Sequence, residues 1–112
     1  MIYVKIQTDK AAKTIELYAK GHAGYAPKGE DIVCAAVSII CYSLEAYVLS
    51  QPRELFSEIE TESGDGYTLL AMTVKDEQDY TTVAEAITPA RLAFKRLNTE
   101  FPRRICFLDI PQ

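Results

Sequence analysis

The residues with the means to do chemistry sit in one stretch, GHAGYAPKGEDIVCAAVS, which holds the chain's only histidine, His22, and one of its three cysteines, Cys34. A thiol attacks carbon only as thiolate, and a free cysteine with a pKa near ~8.5 is mostly protonated at neutral pH. An imidazole within reach takes that proton and returns it to the leaving amine after attack on a carbonyl. That is the working pair of a cysteine hydrolase.

The residues around the pair suit the same chemistry. Asp31 reads as a helix N-cap, which places Cys34 in the first turn, where unpaired backbone N–H groups and the positive end of the helix dipole favour a thiolate. Backbone N–H groups around Val33 and Cys34 are expected to hold the developing oxyanion. Ser38 lies one turn beyond Cys34 on the same side and is a candidate supporting polar group. Asp31 is the other candidate, although its charge opposes thiolate formation and suits it more to a structural role. Gly21, Gly24 and Gly29 would let the intervening loop open for a peptide and close over it, as a gate.

Other chemistry finds little support. Cys34, Cys41 and Cys106 form an odd set without a C-x-x-C pair, and with one histidine neither a disulfide framework nor a zinc site is expected. Cys41 and Cys106 stand in apolar contexts and are assigned to packing. No metal or cofactor is expected. Net charge is −4 and the sequence pI about 5.0, which argues against nucleic acid as a direct partner and for a basic peptide. Glu54, Glu58, Glu60, Glu62 and Asp65 concentrate the acidic charge. Ser38, Ser43 and Glu45 interrupt the longest apolar run, so no membrane span is expected, and the first residues lack the pattern of a secretory signal; both readings point to the cytoplasm. Two readings other than hydrolysis stay open: a module that clasps a peptide without cutting it, and a thiol redox switch at Cys34.

The elements that must position the pair follow from periodicity. In a chain of 112 residues with 48% hydrophobic and 25% charged residues, one folded domain spanning residues 1–112 is expected. Ile2, Val4 and Ile6 alternate with polar residues, as do Ile15, Leu17 and Ala19, which predicts two strands joined by a hairpin at Asp9–Lys13. Asp31 to about Ser50 reads as a helix ended by Pro52. At ~100° per residue, Asp31, Cys34, Ser38, Cys41, Tyr42 and Glu45 share its one polar stripe. So apolar a helix needs burial on more than one side, against the sheet and against a second helix or a partner subunit. Strands are predicted at Glu54–Thr61 and Tyr67–Val74 around SGDG, then a helix over Gln78–Asn98 kinked at Pro89, then a strand over Ile105–Ile110. The fold class is α+β: a two-layer α/β sandwich in the order ββαββαβ, with a mainly antiparallel sheet and two helices. One conflict stands out, because strand alternation puts His22 with Tyr18 and Lys20 on the polar face, away from the helix, unless Gly21 redirects it.

The run GHA, a glycine-containing loop and DIVCAAVS resemble the ribosomal-processing cysteine protease (Prp) family, and the similarity runs from the first strand pair to the helix ending in EFP. The resemblance implies a cytoplasmic cysteine endopeptidase that removes the N-terminal extension of a large-subunit ribosomal protein precursor. It implies a catalytic histidine at His22, a nucleophile at Cys34, loop glycines at Gly21 and Gly29, and matching residues at Asp31 and Ser38. It further implies a homodimer, no cofactor, and a loop that substrate orders.

Overall fold

A computed structural model of the chain describes residues 1–27 and 30–112. Its strands are β1 (Ile2–Asp9), β2 (Thr14–Gly21), β3 (Phe56–Gly64), β4 (Tyr67–Val74) and β5 (Ile105–Pro111), and its helices are α1 (Ile32–Ser50), α2 (Glu77–Ala86) and α3 (Thr88–Glu100). Alternating apolar residues give each inner strand one wet and one dry face. Ile2, Val4 and Ile6 of β1, Ile15, Leu17 and Ala19 of β2, and Leu70, Met72 and Val74 of β4 are buried together with Val33, Val37, Leu44 and Val48 of α1 and Phe94 of α3. Tyr3 and Leu108, on the opposite face of the sheet, stay exposed.

The sheet runs in the order β3-β4-β2-β1-β5. All pairings are antiparallel except the last, β1 with β5, which is parallel. This is the two-layer ββαββαβ sandwich predicted above. Consecutive antiparallel strands need only hairpins, whereas β5 reaches the far edge by way of the helices. The register of β1 on β2, with Ile2 opposite Gly21, brings the end of β2 beside the start of the chain.

Three expectations change. The predicted kinked helix is two helices: α2 ends at Ala86, α3 begins at Thr88 with Pro89 in its first turn, and Ile87 between them is buried. A proline costs little in a first turn, where its missing N–H has no partner to lose, so the chain restarts there instead of bending. β3 begins later than predicted, after a 3₁₀ turn at Arg53–Leu55, and runs through Ser63 and Gly64, leaving Asp65 and Gly66 as the whole connection to β4. Cys41 is buried, as its assignment to packing anticipated, and burial and then the nearby charge of Glu45 push its thiol up to about 11. Finally, α1 is long and apolar enough to cross a membrane by length and composition. In this fold it lies against the sheet through Val33, Val37, Cys41, Leu44 and Val48 and leaves Ile32, Ile39 and Leu49 exposed.

Candidate active site

β2 delivers the imidazole, which follows its last residue, Gly21. Gly21 has φ +109, and a Cβ there would run into the Met1 carbonyl, so glycine alone fits. The strand alternation carries on past the turn, with Ala19 and Ala23 buried and Lys20 and His22 exposed, and His22 still meets the site because the cleft it lines reaches round the end of the sheet to Lys20 and Tyr67. The Gly21 N–H donates to the Gly66 carbonyl at 2.8 Å, and the Met1 amino group donates to the His22 carbonyl at 2.6 Å. The backbone on both sides of the imidazole is therefore fixed by neighbouring strands.

α1 delivers the thiol, and Asp31 organises the start of the helix. Asp31 Oδ1 accepts from the N–H groups of Val33 at 3.0 Å and Cys34 at 2.9 Å, and Oδ2 accepts from the Tyr25 N–H at 3.0 Å. Burial disfavours this carboxylate's charge, but the N–H donors of Cys34, Tyr25, Ala26 and Val33 outweigh it and hold the carboxyl below its usual range. This corrects the expected oxyanion site, because the Val33 and Cys34 N–H groups are already engaged with the cap. A carboxylate three residues away competes for the same donors that a first-turn oxyanion would use.

His22 and Cys34 line one cleft of about 510 Å³ between the end of the sheet and α1. Asp31, Ser38, Cys41 and Tyr42 line it from the helix, Ala19, Lys20, Gly21 and Gly24 from β2 and the loop, and Ser63 to Thr68 from the β3–β4 hairpin. The predicted stripe of α1 thus faces the site from Asp31 through Tyr42. A hollow of about 530 Å³ on the other side, lined by Gln7, Asp9, Glu16, Glu58, Glu60 and others, has neither thiol nor imidazole. Chemistry, not size, separates the two. On the cleft wall Tyr67 meets Tyr18 edge to face, and its hydroxyl donates to Glu62, which with burial and the surrounding charges pushes the phenol up to about 12.

The loop is partly tied down. The Gly24 carbonyl, at a residue with φ +65, accepts from Arg104 Nη1 at 2.8 Å. The Arg104 guanidinium lies 6.0 Å from the Tyr25 ring, which in turn packs edge to face on Phe101 at 5.8 Å. The expected gate therefore has its first residues strapped to the body, and Gly29 lies outside the described residues. Sequence reasoning missed Arg104 and Tyr25 because no local pattern announces a contact across 80 positions of chain. It also passed over Gly66, although the glycine after an aspartate in a hairpin turn is a visible signal.

A family model described as "Cysteine protease Prp" matches residues 1–105. Two structures of the ribosomal processing protease Prp from S. aureus share the fold, one with a covalently linked product peptide (TM-score 0.70, 16% identity) and one with a substrate peptide (TM-score 0.64, 15% identity). Both alignments cover 97% of this chain and 99% of the other. SMU.848 from Streptococcus mutans aligns over 100% of this chain and 96% of its own, with TM-score 0.61 and 25% identity. No curated protein matches the sequence.

Proposed function

Because the chain belongs to the cysteine protease Prp family and is therefore a peptide hydrolase, we propose that Cys34 is its nucleophile and His22 its general base and acid. The observation that carries this reading is that the only imidazole and the thiol at the helix start line one cleft. His22 accepts the Cys34 proton, and the thiolate sulfur forms a bond to the scissile carbonyl carbon. The imidazolium then gives its proton to the leaving amine as the C–N bond breaks, which leaves a thioester. Water, deprotonated by His22, hydrolyses the thioester and restores the thiol. Asp31 supports the site by holding the first turn of α1, and Ser38 supplies a polar wall below the thiol.

The substrate is the precursor of a large-subunit ribosomal protein, whose N-terminal extension is removed in the cytoplasm during ribosome maturation. The ribosomal processing proteases whose fold the chain shares support this, as does a net charge of −4 facing a basic substrate class. The enzyme acts as a homodimer. Ile32, Ala35, Ile39, Tyr42, Ala46 and Leu49 of α1 are all exposed and repeat at the spacing of a heptad seam, with small residues that permit close helix pairing. The alternative of a peptide clasp without hydrolysis falls with membership of a protease family.

The test is incubation of the purified protein with that precursor, read by mass spectrometry, which reports activity and cleavage position together. Cys34→Ala and His22→Ala each abolish cleavage while leaving the fold intact. Wild-type cleavage by Cys34→Ala would sink the assignment.

A further inference from the structure

We infer that Gly66, in the turn between β3 and β4, is a positioning residue for the His22 imidazole: the side chain it lacks is the space the ring occupies. The inference rests on the reading of His22 as general base. A Cβ on Gly66 would fall 2.6 Å from His22 Nε2, 2.9 Å from Cε1 and 3.2 Å from Cδ2. Carbon atoms do not approach that closely, so any other residue here displaces the ring from its present seat.

A second contact runs through the backbone. The Gly66 carbonyl accepts the N–H of Gly21, the residue before His22, at 2.8 Å. One hairpin residue thus holds both the hinge before the imidazole and the Nε2–Cε1 edge of the ring. β4 is paired with β2 up to Lys20 opposite Tyr67, so the seat is rigidly joined to the strand that carries His22. His22 and Gly66 both line the cleft that holds Cys34. Reactions that pass a proton between positioned groups lose rate steeply when one group shifts, on the order of 10²-fold for a displacement of ~1 Å.

Glycine is also favoured at this position because its φ is +70, and the test must separate turn geometry from the seat. Asparagine tolerates the left-handed region far better than alanine but carries the same Cβ. Both Gly66→Ala and Gly66→Asn are expected to lower kcat on the order of 10²-fold with KM little changed. His22 is the only histidine, so its Cε1–H nuclear magnetic resonance signal is unambiguous and should move in both variants. The thermal midpoint lost in Gly66→Asn should be largely recovered when His22→Ala is added, because the clash is gone. Should Gly66→Asn fail to fold alone, recovery of folding by His22→Ala is the same result.

A Gly66→Asn enzyme with wild-type kcat and an unmoved imidazole signal overturns the proposal. So does an equal loss of stability with and without His22. Failure of the wild-type protein to cleave any precursor would defeat the functional reading instead, and the signal shift and the stability cycle would still decide whether Gly66 seats the ring.

Discussion

Asp31 acts on its neighbours in two opposite ways. Its carboxylate satisfies N–H groups that the helix start and the loop would otherwise leave unpaired, and it places a negative charge next to the thiol that the helix dipole favours as thiolate. Asp31→Ala removes the cap and leaves those donors without an acceptor, at a cost of about 1–2 kcal/mol in a urea titration. The pH dependence has a definite sign. The folded carboxyl titrates below its ordinary 3.8, so the stability it contributes is present above 3.8 and is lost as pH falls through the folded value. Wild-type protein should therefore lose stability in that acid range, and Asp31→Asn should lack that part of the loss; identical acid profiles would refute the linkage. At this scale the sequence was informative about types and poor about competition. His22 and Cys34 announced themselves as the scarce groups with chemistry, whereas the spending of the Val33 and Cys34 N–H groups on a cap required knowing where the carboxylate pointed.

Elements were legible where periodicity was strong and opaque where one residue altered the rule. The strands and α1 followed from their apolar spacing. Gly21 is instructive: its φ is positive, yet the alternation of β2 carries on to an exposed His22 and a buried Ala23. Strand parity therefore held, and only the conclusion that this face lies away from the thiol failed, because the cleft reaches round the end of the sheet. Pro89 misled in a different way, because a proline inside a continuous apolar pattern does not say whether the chain bends or begins again. The contact of α3 with β5 was invisible in sequence. Phe94 stacks on Phe107 with centroids 5.4 Å apart, and Arg91 donates to Asp109 at 2.9 Å. Asn98 donates to the Ile105 carbonyl at 3.1 Å and accepts the Phe107 N–H at 2.9 Å. Asn98 thus does for β5 on one side what a further strand would do. Asn98→Ala strands both backbone groups and should cost about 1–3 kcal/mol, a fall of several degrees in thermal midpoint; an unchanged midpoint would show that water replaces the amide.

For the whole molecule, the α1 surface decides whether the fold is complete alone. A helix buried on one side and apolar on the other fits a chain that pairs with a copy of itself. Ile39 is 64% exposed at the middle of the seam. Ile39→Glu should convert a sedimenting dimer into monomer without unfolding it, and a wild-type protein that sediments as monomer at high concentration would end that proposal.

The strap from Arg104 to Gly24 joins the last part of the chain to the loop that follows the first hairpin. Its consequence is one of timing. During synthesis the chain emerges from its start, so the imidazole, its glycine hinge, the thiol and the hairpin beneath the ring are all made before Arg104 exists. The loop is therefore fastened to the body only after Arg104 has been made, and a growing chain carries both reactive groups through most of its birth without the strap that sets the loop beside them.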